Sequence, residues 1–321
     1  MNMINKKASL VLILVFFALS CVPKESAKYN LVIREEFSIG KEEGDQNYMF
    51  AQISDLCTDD KLNIYVLDSR KMLVMVYDKN GLFKFSFGQA GQGPGQFDVP
   101  KAIASFQDKV YVLDFFKVHL FRTDGTFLSS FPLDFRGIDM AVNDKGELVV
   151  LGPRKQNIFH VYNNGKLLYS YGELFEMPER FAQFKNALLF RLPFKIYICG
   201  AHTYAMNPYQ YEIIVWEDRT SRLSLKRDEP QFLSAEIKSE RGGFSSIVGR
   251  YFIQEKNKKL YVFYTKKGEK YGLDIWSKNK LLTSLEIKDI PVYADQEGNY
   301  YLIEETNFPK IIKSKIEMYK E

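Results

Sequence analysis

The chain is poor in the residues on which most chemistry depends. Its 321 residues include three histidines and three cysteines. Three cysteines cannot build the disulfide framework of a small secreted scaffold. A zinc centre needs three or four converging ligands, and His119, His160 and His202 are far apart in the chain. No Gly-x-Ser-x-Gly elbow is present, so a serine hydrolase has no local signature, and no Gly-Lys-Ser/Thr follows a glycine loop. No aspartate-box repeat is present either. The formal charge is only +4, with no concentrated basic stripe, which argues against nucleic acid as a partner. The one long apolar run, residues 8–19, is too short for an ordinary membrane-spanning helix.

What the chain has in quantity is aromatic side chains, 15% of all residues, with 20 Tyr and 26 Phe. These favour strands. Apolar, β-branched and aromatic runs recur at 62–68, 109–114, 147–152, 195–200, 259–264 and 299–304, spaced by about 40 to 65 residues. Each is too short for a helix and apolar on both faces, as expected of a strand sandwiched between two others. A second run follows most of them, at 74–78, 118–121, 159–162, 213–216 and 273–276. Tight-turn pairs then appear at Asn80-Gly81, Asp124-Gly125 and Asn164-Gly165, where positive φ angles are needed. A shorter strand completes each unit, and one inner strand precedes it.

This pattern predicts an all-β fold, a six-bladed β-propeller of four-stranded antiparallel blades over residues 29–321. Counting strands leaves the last blade without an outer strand and leaves residues 31–37 without a blade. The N-terminal strand is therefore expected to complete the last blade, which also pairs an otherwise open edge. Cys57 and Cys199 fall in different repeats, about halfway round such a ring, and are expected to be buried free thiols.

The stretch Gly88-Gln89-Ala90-Gly91-Gln92-Gly93-Pro94-Gly95-Gln96-Phe97-Asp98-Val99-Pro100 joins the outer strand of the first blade to the inner strand of the second. Its pattern Gly-x-Gly-Pro-Gly-Gln-Phe-x-x-Pro, with Asp68 and Asp78 at matching spacing, resembles NHL-type six-bladed propellers. The resemblance is specific over residues 51–172, where Lys71 and Leu73 replace the family's usual Asn and Arg. In outline the chain is similar to the propeller lipoproteins common in Bacteroidota. Some NHL-type propellers are zinc lyases with clustered histidines, a set that three separated histidines match poorly.

The first 20 residues read as an export signal: Lys6 and Lys7, the apolar run, then Ala18-Leu19-Ser20-Cys21. This resembles a lipoprotein signal, in which Cys21 becomes the lipidated N-terminus. Residues 21–28 then form a polar tether. Val22, which is not Asp, favours the outer membrane of a cell envelope, and acyl chains would anchor the protein there.

The four-strand path puts blade-to-blade crossings and the turns between second and third strands on one face. That face is expected to carry the long segments 88–99, 172–184, 201–210 and 226–245, and long loops on a rigid scaffold are where binding usually resides. The binding-face candidates are Arg70, Arg136, Arg154, Arg180, His202, Tyr204, Tyr209 and Arg241, with Lys71, Lys155, Phe175, Phe181, Tyr211 and Phe232 beside them. Aromatic-plus-arginine composition suits a protein, peptide or glycan partner. Asp55, Asp139 and Asp295 lie in or near inner strands, where salt-bridged structural roles are expected. His119 and His160 occupy equivalent positions in adjacent repeats, which reads as shared ancestry. The resulting expectation is a monomeric, lipid-anchored binding or scaffold module with no cofactor. The alternative is a lactonase- or lyase-like enzyme using a divalent ion in the channel.

Overall fold

A computed structural model describes residues 29–320 apart from 174, 177, 180–194, 218–220, 241, 242 and 248. The ordered strands form six four-stranded antiparallel sheets arranged as successive blades. Blade 1 holds β2 (Ile53–Thr58), β3 (Ile64–Asp68), β4 (Leu73–Tyr77) and β5 (Phe83–Phe87). Blade 2 holds β6 (Pro100–Phe106), β7 (Lys109–Asp114), β8 (Lys117–Arg122) and β9 (Phe127–Pro132). Blade 3 holds β10 (Asp139–Val142), β11 (Leu148–Arg154), β12 (Asn157–Asn163) and β13 (Lys166–Glu173). Blade 4 holds β14 (Tyr197–Cys199), β15 (His202–Met206), β16 (Glu212–Glu217) and β17 (Ser221–Lys226). A hairpin of β18 (Glu236–Glu240) and β19 (Gly243–Ile247) follows as a separate two-stranded sheet. Blade 5 holds β20 (Tyr251–Lys256), β21 (Lys259–Lys266), β22 (Lys270–Ser277) and β23 (Lys280–Ile287).

Blade 6 closes the ring. It holds β24 (Tyr293–Ala294), β25 (Asn299–Glu304) and β26 (Lys310–Lys320), and its outer strand is β1 (Tyr29–Ile39). β1 pairs antiparallel with β26 along its length, from Tyr29 opposite Lys320 to Ile39 opposite Ile311. The expected closure by the N-terminal strand is therefore present.

Hydrophobic clusters sit between blades, one at each of the six interfaces. This explains why the second and third strands are apolar on both faces: each face meets a different neighbour. Tyr65, Tyr77, Tyr264 and Tyr301 are fully buried, and each such side chain is worth about 1.5–3 kcal/mol. The hydroxyls of Tyr65 and Tyr301 are satisfied by the same local device. Asp59 accepts from the Asn63 backbone N–H (2.8 Å), the Asn63 amide (2.7 Å) and the Tyr65 hydroxyl (3.1 Å). Asp295 does the same with Asn299 and Tyr301 in blade 6. Asp295 is thus a turn-and-tyrosine anchor near the channel.

A second repeated device secures the inner strands of blades 1 and 2. Asp68 ends β3 and accepts backbone N–H bonds from Ala51 (2.7 Å) and Gln52 (3.1 Å). Asp114 ends β7 and accepts from Asp98 (3.0 Å) and Val99. The segment 88–100 crosses from blade 1 to blade 2 as expected. Phe97 is fully buried between the blades and packs edge-on to His119 and Phe121. Gly88 has φ +88°, and a Cβ there would lie 2.3 Å from the Phe97 ring, so only glycine fits.

Blade 4 differs from the reading of its sequence. The sequence pattern matches residues 195–200 to the second strands of other blades, but they contribute the inner strand β14. Half of the expected loop 201–210 is the second strand β15, and the expected loop 226–245 contains β18 and most of β19. Ile196, Ile198 and their neighbours carry the same apolar alternation as a second strand, and local pattern alone does not separate the two. Cys57 and Cys199 are both free; Cys57 is buried as expected, whereas Cys199, at the end of β14, is exposed.

Candidate functional site

The six inner strands surround a central cavity of about 450 Å³. Lys195, just before β14, reaches into it. Its ammonium lies 3.0 Å from Asp55 Oδ1 of blade 1 and 3.2 Å from Asp139 Oδ1 of blade 3. Blades 1 and 4 are opposite in a six-membered ring, so this contact spans the channel. The other oxygens are also committed: Asp55 Oδ2 accepts from the Ile103 N–H (2.9 Å), and Asp139 Oδ2 from the Ile196 N–H (2.9 Å). Each carboxylate thereby ties its own inner strand to that of the next blade. Burial opposes the charge on Lys195, but Asp139 and Asp55 outweigh it and raise its pKa. Burial pushes Asp139 up to about 6, against the pull of Lys195 and with the push of Asp55. The backbone of Lys195 is held in turn by the Tyr251 hydroxyl, at 3.0 Å from its nitrogen.

A divalent ion in this channel would have to displace the ammonium from both carboxylates. Among the described residues, no three His, Cys, Asp or Glu side chains converge as a metal set. His119 and His160 are buried at equivalent positions in third strands, opposite Val112 and Val150. His119 Nε2 lies 3.4 Å from Asp114 Oδ2, and His160 Nε2 lies 2.8 Å from the Gly152 carbonyl oxygen.

The candidate binding residues divide between two faces. Arg70 is exposed on the β3–β4 turn, on the long-loop face. Arg136 lies in the β9–β10 crossing and Arg154 at the end of β11, on the same face. Tyr209 lies in the β15–β16 connection, also on that side. His202 and Tyr204 are on β15, and His202 starts it, so they belong to the opposite, hairpin face; this corrects their expected position. There His202 Nδ1 is 3.2 Å from Glu255 Oε2, and Tyr204, which is buried, donates to the same oxygen. Arg180 and Arg241 lie outside the described residues, as does Cys21.

On the long-loop face, a groove of about 510 Å³ opens between blades 2 and 3, lined by Phe116, Asp134, Arg136, Arg154 and Lys155 among others. Phe116 stands 57% exposed at its edge. The Arg136 guanidinium stacks on Phe115, 3.9 Å from the ring centre, and the Lys101 ammonium is 4.8 Å from that centre. Arg154 grips Asp134 as a fork, at 2.7 and 2.8 Å. The β7–β8 turn is pinned to the crossing: Leu133 N–H donates to the Phe116 carbonyl (2.6 Å) and Gly137 N–H to that of Phe115 (2.8 Å). Gly152 makes room for the crossing, since a Cβ there would lie 2.4 Å from the Arg136 carbonyl oxygen. Blade 3 has Gly152 where blades 1 and 2 have Asp68 and Asp114. The sequence reading found Arg136 and Arg154 but missed Phe115, Phe116 and Lys101. The adjacent pair Phe115-Phe116, in a turn that is polar in blade 1, was the available signal.

Solved structures with the same fold include a member of the DUF4221 family from Bacteroides vulgatus. It is 9% identical, with 92% of this chain and 100% of that chain covered and a TM-score of 0.61. A candidate exported protein of Bacteroides fragilis is 14% identical, covering 90% and 95%, with a TM-score of 0.58. A streptogramin B lyase is 14% identical, covering 90% and 98%, with a TM-score of 0.54. Among curated proteins, protein brain tumor of Drosophila melanogaster is 23% identical over 132 residues, which is 38% of this chain and 12% of that protein's length. The family model DUF5128, described as a 6-bladed β-propeller, matches residues 43–280, and the chain belongs to that family.

Proposed function

We propose that the protein is an exported, lipid-anchored propeller of the cell envelope that binds a protein, peptide or glycan partner through its long-loop face. The observation that carries this reading is the groove between blades 2 and 3, where an exposed aromatic ring is flanked by guanidinium groups on a rigid scaffold. Exposed aromatics beside arginine are the usual anchors of interfaces. The channel supports the same reading. The carboxylates best placed for chemistry, Asp55 and Asp139, are occupied by Lys195 and backbone N–H groups. Cys21, preceded by the small residue Ser20, would be the lipid site, and Val22 favours an outer-membrane location.

The test has two arms in cells. Cys21→Ser should move the protein from the membrane fraction to the soluble fraction. A photo-crosslinking residue at Phe116 should trap a partner that the same residue at Lys278, on the hairpin face, does not. Equal trapping from both positions would remove the case for this face. Ester turnover abolished by a chelator would favour the enzyme instead.

A further inference from the structure

We propose that the hairpin face of blade 5 rests on an anionic phospholipid bilayer, the one to which Cys21 is tethered. This rests on the lipid anchor of the proposed function and adds how the propeller sits against its membrane. The β20–β21 and β22–β23 turns lie on that face of one blade. With the residues flanking them they carry Lys256, Lys258, Lys259, Lys278 and Lys280, and no carboxylate between positions 256 and 259 or 277 and 280. Lys256, Lys258, Lys278 and Lys280 are exposed, and none of the five lysines forms an ion pair. The corresponding turns of blades 1, 2, 3 and 6 each hold a carboxylate, as at Asp60, Asp108, Asp144 and Glu297.

Both turns are tight two-residue hairpins. Asn257 and Lys258 have φ of +52° and +58°, and Lys278 and Asn279 of +48° and +63°, the left-handed pair that such turns require. Asparagine takes those angles readily and lysine seldom, so Lys258 and Lys278 hold their charges at the turn tips at a local cost. Lys256 stands directly opposite Lys259 across the ladder, and like charges so placed destabilise a sheet. A negatively charged surface in front of the turns would relieve that repulsion. Beside them a groove of about 350 Å³ is lined by Lys258, Lys259, Lys278 and Leu223. Its carboxylates, Glu217 and Glu255, both face His202, at 3.6 and 3.2 Å. Leu223 is 42% exposed, and Leu281, next to Lys280, is 37% exposed. Lysines interspersed with exposed leucines suit the headgroup region of a bilayer.

The tether selects the bilayer as the occupant. β1 begins at Tyr29, opposite Lys320, at the hairpin-face end of blade 6, and blade 6 packs directly on blade 5. Residues 21–28 reach at most about 28 Å, so the anchor keeps the basic turns close to the headgroups. Each lysine near an anionic surface adds to the attraction. An acidic protein or a nucleic acid offers the same charge, but nothing ties it to the face on which the tether emerges.

The test mixes the full protein, extracted from cell membranes, with vesicles of phosphatidylcholine alone or with added phosphatidylglycerol. It reads flotation with the vesicles, and the labelling of lysines by a water-soluble acylating reagent followed by mass spectrometry. Flotation on phosphatidylcholine reports the anchor. With phosphatidylglycerol, Lys258, Lys278 and Lys280 should be labelled roughly fivefold more slowly than with phosphatidylcholine alone, and high salt should remove the difference. Lys155, on the long-loop face, should be labelled equally on both. The double substitution Lys258→Asn with Lys278→Asn removes two charges with a residue that fits the turns, and melting curves establish that it is folded. Most of the protection at Lys280 should be lost in this variant and kept in Lys155→Gln.

The proposal is overturned if the lysines are labelled equally on the two kinds of vesicle, or if protection survives the double substitution. It is also overturned if soluble polyglutamate, and not phosphatidylglycerol, protects the same lysines, which would make this surface a site for an acidic protein. A protein that floats on phosphatidylcholine without protection by phosphatidylglycerol keeps its anchor and loses this orientation. One that floats only with phosphatidylglycerol, and needs the lysines to do so, has the lipid surface without the anchor.

Discussion

Lys195 shows how one residue decides what a channel can do. Two buried carboxylates share its ammonium, and each also accepts a backbone N–H from the next blade. Breaking such a pair by removing one partner typically costs about 3–5 kcal/mol, because the partner charges remain buried. The pH dependence separates this cause from lost packing. Asp139 sits at about 6, above its ordinary value of 3.8. The folded state therefore holds its proton more tightly than the unfolded state. Its contribution to stability is full below about pH 4 and fades as pH rises through about 6. Lys195→Met removes the ammonium that pulls this carboxyl down, so Asp139 moves higher still. The variant should be less stable than the native protein by about 3 kcal/mol near pH 8 and should recover much of that near pH 5. Urea unfolding at the two pH values measures this, and an equal loss at both would point to packing alone. Asp55 and Asp139 were legible as channel-approaching structural carboxylates. Their partner was not, because nothing local to Lys195 marks a contact with Asp55, 140 residues away in the chain.

At the scale of elements, the blades were readable in proportion to their regularity. Blades 1 to 3 repeat the order of apolar second strand, third strand and tight turn, and each run falls where the pattern places it. Blade 4 does not. β14 is only three residues long, and the run around it imitates a second strand, so the sequence pattern assigns β15 to a loop. That single slip carried His202 and Tyr204 to the wrong face, since successive strands of a blade run in opposite directions. β1 was legible for a different reason: an unpaired strand at one end and a missing strand at the other have one joint solution. Deleting residues 29–38 should strip the outer strand from blade 6 and expose the edge of β26. Scanning calorimetry should show the melting temperature falling by at least roughly 10 °C, often with aggregation. An unchanged midpoint would mean that β1 is an accessory to the ring rather than its closure.

For the molecule as a whole, the hydrophobic clusters form a closed cycle, each shared by two blades. Lys195 supplies a positive charge at the channel from within the chain. A chelator should therefore leave the melting temperature of the native protein unchanged, and added calcium should not raise it. A clear stabilisation by calcium would mean that an ion competes with the ammonium, because a ligand that binds the folded state raises its stability by mass action.

The pairing of β1 with β26 also gives the molecule a direction. β1 ends at Ile39, and the chain then runs to the start of β2 on the long-loop face, so the Tyr29 end of β1 opens on the hairpin face. Lys320, paired with Tyr29, lies there too. With Cys21 lipidated, the eight residues of the tether reach at most about 28 Å from that edge. The point of attachment would then lie on the hairpin face, opposite the groove at Phe116.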